Sequence, residues 1–155
     1  MALTKNQIIK LGRIIRPQLE AYAKSIENPI GYGTFNPKTL KCMCAVGAYI
    51  HKTVINRLGG KAQLIKGQFD GGHHCWVAID NKIYDLTATQ FNKKLAKVLY
   101  LTPENNNYKR YKIELKGTQA IKDIKKWGDQ SPFKHKSFVN KTVKHTITKF
   151  KGGKL

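Results

Sequence analysis

Apolar residues near the start of the chain recur at spacings of three and four: Ile8, Leu11, Ile15, Leu19, Tyr22 and Ile26. That period lines one face of a helix over residues 4–27. Thr4 and Gln7 have the spacing of a capping box. Pro17, which has no N–H to donate, predicts a kink or a split in that helix. Residues 28–40, NPIGYGTFNPKTL, are rich in Gly, Pro and Asn and read as a long loop. The stretch CMCAVGAYIHKTVINRLGG predicts a second helix, with Ala45, Ala48, Tyr49, Val54 and Ile55 as its apolar substance and Gly59-Gly60 as its end. After that the period drops to two. AQLIKGQF, HCWVAID and KIYDL read as strands, and a turn at Asp80-Asn81 joins the last two, which sets residues 76 and 85 roughly opposite each other. Residues 89–102 hold a short helical piece and then the strand KVLYLT, and YKRYKIEL alternates as one more strand. Thr118 can cap a short helix carrying Ile121, Ile124 and Trp127. From Ser131 onward, Phe138, Val139, Val143, Ile147 and Phe150 stand among Lys and Thr, which predicts an edge strand or a partly disordered tail.

Helices first and mostly antiparallel strands afterwards make an α+β layout, with the N-terminal helices packed on the sheet. A length of 155 residues and a hydrophobic content of 41% suit one packed domain over 1–130, followed by a basic tail over 131–155. No internal repeat interrupts that organisation.

Charge changes the picture more than composition does. The formal net charge is +20. After Asp129 no acidic residue occurs, while Lys134, Lys136, Lys141, Lys144, Lys149, Lys151 and Lys154 follow. A solvated lysine surface is one reading. Attraction to RNA, DNA or an acidic partner protein is the other. No RRM, KH or helix-turn-helix signature sharpens that choice. No apolar run is long enough to span a bilayer, so no membrane association is expected. The first residues, MALTKNQIIK, lack a signal-peptide apolar core. Three cysteines, an odd number, do not suggest a disulfide framework, so a reducing, cytoplasmic setting is expected, including the cytosol of a target cell after delivery.

The candidate chemistry lies between residues 42 and 90. A thiol becomes a nucleophile as the thiolate, and a helix N-terminus favours that form. Cys42 and Cys44 both fall near the expected start of the second helix. Histidine is the usual base for such a thiol, and a third polar group fixes its tautomer. His74 begins one strand of the predicted hairpin, and Asp85 ends the other, within approach of it. Zinc is the rival use of Cys42, Cys44, His73, His74 and Cys75, but Cys-x-Cys is not the usual ligand spacing, and neighbours on a strand point to opposite faces. No metal and no cofactor is expected. Trp76 reads as core, His73 as a loop neighbour of the base, and Gln90 as polar support.

In the order Cys44, His74-Cys75-Trp76-Val77, Asp85-Leu86-Thr87, the segment 36–91 resembles the transglutaminase-like branch of the papain-like cysteine enzyme superfamily. In that group a cysteine opens a helix, with an alanine four residues on and a glycine at the end. Cys44, Ala48 and Gly59 match. A strand with His-x-Trp-Val and a hairpin ending in Asp-x-Thr follow. Met43 stands where glycine often precedes the cysteine, and Leu86 where proline is frequent. Small papain-fold toxin domains and some phage effector proteins are similar at this level. The resemblance implies a papain/transglutaminase-like fold and a triad of Cys44, His74 and Asp85, with Cys42 as the alternative nucleophile. The oxyanion donors would be a backbone N–H at the thiol and a side chain such as Asn36. It further implies a protease, deamidase, amidase or transglutaminase, of toxin or effector type, acting on a host macromolecule as a monomer, with an immunity protein or acidic partner to restrain it. Two alternatives use the same scaffold: a nuclease acting on tRNA or other RNA, in which His74 is one of the acid–base groups, and a non-catalytic inhibitor or binder.

Overall fold

A computed structural model describes residues 2–26, 37 and 39–152. Helix α1 spans Lys5–Ser25, with Thr4 as its N-cap and the reciprocal Thr4–Gln7 bonds of the capping box in place. It runs on through Pro17 without splitting. The hydrogen bond that proline removes is outweighed by the burial of Ile15, Arg16 and Leu19 on either side of it. Helix α2 spans Cys44–Arg57. It ends where Gly59 takes a left-handed φ of 93° and the Gly60 N–H reaches back to the Ile55 carbonyl at 2.9 Å.

Strands β1 (Gln63–Phe69), β2 (Gly72–Ile79), β3 (Lys82–Asp85), β4 (Leu99–Leu101) and β5 (Tyr111–Lys116) form one sheet in the order β4-β3-β2-β1-β5, with every pairing antiparallel. The β2–β3 turn carries Asp80 at a φ of 54°, and the register Ile79↔Lys82, Ala78↔Ile83, Val77↔Tyr84 sets residue 76 opposite Asp85, as expected. The short helical piece expected after residue 88 is a 3₁₀ turn at Ala88–Gln90. Helix α3 spans Gly117–Ile124 with Lys116 at its N-cap, so Thr118 lies inside the helix and does not cap it.

Helix α4 spans Lys136–Lys151 and replaces the edge strand or disordered tail that the sequence suggested. Val139, Thr142, Val143 and Thr146 are buried at spacings of three and four. Val139 and Val143 belong to the same core as α1 and α2. The polar threonines hid this helical period, because their methyl groups pack while their composition reads as solvent-facing. Lys136, Lys141, Lys144, Lys149 and Lys151 occupy its exposed side.

Alternation along the strands separates two cores. One face of the sheet, through Leu64, Cys75, Val77 and Tyr84, packs on the helices with mainly aliphatic partners. The other face gathers Ile65, Phe69, Trp76, Ile83, Leu99, Leu101 and Tyr111. Gly67 makes room for the Trp76 ring, since a Cβ there would meet the ring at 2.8 Å and the Lys112 carbonyl at 2.0 Å. No helix among the described residues is long and apolar enough to cross a membrane.

Candidate active site

Cys44 is the first residue of α2 and is almost fully buried. The backbone before it is tightly bent, with Leu40 at a φ of 58° and Cys42 at 71°, both in the left-handed region that non-glycine residues seldom occupy. The helix N-cap, Met43, offers no side-chain bond to the first-turn N–H groups, which leaves that positive end of the helix to the thiol. Cys42 lies two residues back in the turn and is half-buried. Burial and the neighbouring Cys44 raise its thiol above the usual value.

His74 and Asp85 come together across the hairpin. His74 Nε2 lies 2.6 Å from Asp85 Oδ2, and both side chains are fully buried. The same carboxylate oxygen accepts from the Tyr111 hydroxyl at 2.7 Å, and the other oxygen accepts from the Thr87 backbone N–H at 2.9 Å. With Nε2 committed to Asp85, Nδ1 is the edge left for other partners. The Gln90 carboxamide nitrogen lies 3.2 Å from it, and the Cys44 thiol is electrostatically coupled to the same ring. The free, buried thiol of Cys75 is electrostatically coupled to Cys44.

The electrostatics follow from these contacts. The Cys75 hydrogen bond lowers the Cys44 thiol well below its ordinary value, burial opposes this, and the hydrogen bond and charge of His74 reinforce it. Burial works against the His74 cation, but the charge and hydrogen bond of Asp85, together with Cys44, win and raise the imidazole to about 10. Burial likewise opposes ionisation of Asp85, yet His74, the Thr87 N–H and Tyr111 hold it below the usual carboxylate range. Burial, with Asp85 beside it, pushes the Tyr111 hydroxyl far above its ordinary value, so it stays protonated and donates. Cys75 is raised by its bond to Cys44 and by burial, so it is the protonated member of the thiol pair. The two shifts run in opposite directions, the Cys44 thiol downward and the His74 imidazole upward, and both favour the thiolate–imidazolium form.

An aromatic wall surrounds the imidazole. The rings of Phe91, Trp76, Phe69 and Tyr111 stand with centroids 4.9, 5.9, 6.2 and 6.2 Å from that of His74. Water is kept from the His74–Asp85 bond, where low dielectric strengthens it.

Of the residues singled out from sequence, Cys44, His74, Asp85, Trp76 and Gln90 converge, whereas Cys42 stays in the preceding turn. His73 lines a neighbouring cleft, and Asn36 lies outside the described residues. Among the described residues, no group of three or more His, Cys, Asp or Glu is arranged to hold a metal ion.

Two contributors escaped the sequence. Tyr111 comes from the far edge strand and has no local signature. Arg16, at 2% exposure, sends Nη1 to the Leu86 carbonyl at 2.7 Å and Thr89 Oγ1 at 3.0 Å, while Nε pairs with Glu20 at 3.2 Å. It clamps the segment that carries Asp85, Thr87 and Gln90. A cation beside Ile15 and Leu19, on the apolar stripe of α1, was the available signal.

Neither the curated proteins nor the solved structures provide a match to the chain. The model of the YunG protein family matches residues 25–122, from the end of α1 into α3 and across Cys44, His74, Asp85, Gln90 and Tyr111, though not Arg16; the chain belongs to the YunG protein family.

Proposed function

We propose that this protein is a cysteine-dependent acyl-transfer enzyme on a papain/transglutaminase-like scaffold. The carrying observation is the buried His74–Asp85 pair at 2.6 Å, set against a thiol at the first residue of a helix. The Cys44 thiolate attacks the carbonyl carbon of a carboxamide or peptide bond. The C–S bond forms as the carbonyl π electrons move to oxygen. The backbone N–H groups at the start of α2 and the Gln90 carboxamide are the donors nearest to that oxyanion. Collapse of the intermediate breaks the C–N bond, and the leaving amine takes the proton from His74 Nδ1. The thioester is then attacked by water or by a second amine, which gives its proton to Nδ1, and Sγ departs as thiolate. Asp85 remains ionised throughout and keeps the proton of the ring on Nε2. Hydrolysis gives a protease, amidase or deamidase; transfer to an amine gives a transglutaminase.

The test uses p-nitrophenyl acetate as an activated acyl donor. The expected result is a burst of p-nitrophenol with an acetyl group on Cys44 in the acid-quenched protein, lost in Cys44→Ala and kept in Cys42→Ala. A burst that survives in both variants overturns the proposal.

A further inference from the structure

A cleft of about 230 Å³ is lined by Lys66, His73, Asp123, Trp127 and Gln130. Its place follows from the register. His73 and Cys75 flank His74 on β2, Lys66 pairs with Cys75, and Gln68 with His73. Cys75, a free and buried thiol of the same core, is electrostatically coupled to Cys44. The cleft thus lies on the helix side of the sheet, beside the strand position of Cys75, with α3 and the turn after it as its outer wall.

The charges in this cleft differ from those of the molecule as a whole. Lys66 is already taken by Glu114 at 2.8 Å, so that pair is neutral. Asp123 makes no ion pair among the described residues; Trp127 Nε1 donates to its Oδ2 at 3.2 Å. In a chain of net charge +20, this pocket therefore presents a carboxylate that makes no direct ion pair among the described residues, with Lys66 feeling its charge but bonded to Glu114. An indole bound to that carboxylate stands beside it. This combination suits an organic cation: the carboxylate meets the charge, and the aromatic face covers the alkyl stem and adds a cation–π contact.

We infer that this cleft receives a cationic side chain of the substrate, lysine or arginine, next to the carbonyl carbon that Cys44 attacks. The inference rests on the acyl-transfer reading and narrows it to basic peptide or protein substrates. Asp123 is the specificity-determining residue, and Trp127 positions it.

The probes are N-acetyl-arginyl and N-acetyl-citrullyl chloromethyl ketones, which have nearly the same shape and differ by one charge. In each case the thiolate forms an S–C bond and chloride leaves. The rate of modification at residue 44 is read by peptide mass, with iodoacetamide as the uncharged reference in the wild-type protein. The arginyl probe is expected to react about tenfold faster than the citrullyl probe, the size of one well-placed charge interaction. In Asp123→Asn the ratio falls to near one, and Asp123→Glu keeps a preference. Equal rates with the two probes in a wild-type protein that iodoacetamide does alkylate at Cys44 overturn the inference and leave the thiol chemistry standing. A tenfold ratio that persists in Asp123→Asn also overturns it. A Cys44 inert to iodoacetamide removes the acyl-transfer reading, and this inference with it.

Discussion

Two histidines of this protein are wholly buried, and they behave in opposite ways. His51, on α2, is 0% exposed, and its Nε2 meets the Ile8 carbonyl at 3.1 Å while Nδ1 has no partner among the described residues. Burial drives it down to about 4, against weaker upward pulls from Ile8 and Asp85, so it is a neutral core residue at pH 7. His74, on β2, is equally buried but touches a carboxylate, and it is raised to about 10. Desolvation acts on both rings in the same direction. What separates them is one aspartate within 2.6 Å and a thiol on the other side. Burial alone therefore holds a histidine neutral; burial with a paired charge lets it keep its proton.

The strongest way to break this contrast is Asp85→Asn, which keeps the shape and removes the charge. His74 then resembles His51, its imidazole falls below neutrality, and the Cys44 thiol rises toward its ordinary value of 9.0. Acylation of Cys44 at pH 7 is expected to drop by at least ~100-fold. The wild-type profile keeps its alkaline limb near the His74 value of about 10, whereas the variant's reactivity rises with pH as its thiol ionises toward the ordinary value. An unchanged profile in Asp85→Asn would contradict the assigned role.

A smaller effect tests the other histidine. Its folded value of about 4 lies below the ordinary 6.5, so between those values the unfolded chain binds a proton that the folded chain refuses. Stability is therefore full above pH 6.5 and is lost as the pH falls toward 4, by about 3 kcal/mol from this group. Urea unfolding at pH 7 and pH 4 measures it. In His51→Phe the acid-dependent loss should shrink by that amount; an equal loss in both proteins would show that His51 is not the group responsible.

The smallest effect belongs to Tyr111→Phe. Asp85 keeps His74 and Thr87 but loses one donor. A loss of about 1–2 kcal/mol in stability and about tenfold in acylation rate is expected. The alkaline limb should barely move, because the carboxylate that sustains the imidazolium remains. A collapse as large as that of Asp85→Asn would mean that Tyr111 takes part directly.

Much of the site was legible because its parts are local. The capping box at Thr4–Gln7, the glycine stop after α2 and the turn at Asp80-Asn81 are all short-range chemistry, and they place Cys44, His74 and Asp85 on named elements. The turn even fixes the register that brings Asp85 toward His74. α4 was misread for an equally physical reason: Thr142 and Thr146 take core positions that composition assigns to solvent. The choice between Cys42 and Cys44 depended on which residue opens the helix, a boundary that pattern locates only to within a turn.

The residues by themselves determined the α+β order, the strand pairing of the hairpin and the set of chemical groups available. Only the tertiary structure decided which groups act together. Arg16 reaches Leu86 across 70 residues and Tyr111 reaches Asp85 across 26, and both bonds exist because helix and sheet packing bring the partners within 3 Å. The opposite fates of His51 and His74 are settled in the same way. Periodicity can say that a histidine is buried, but its charge depends on what the fold places against it, and that contact has no period in the sequence.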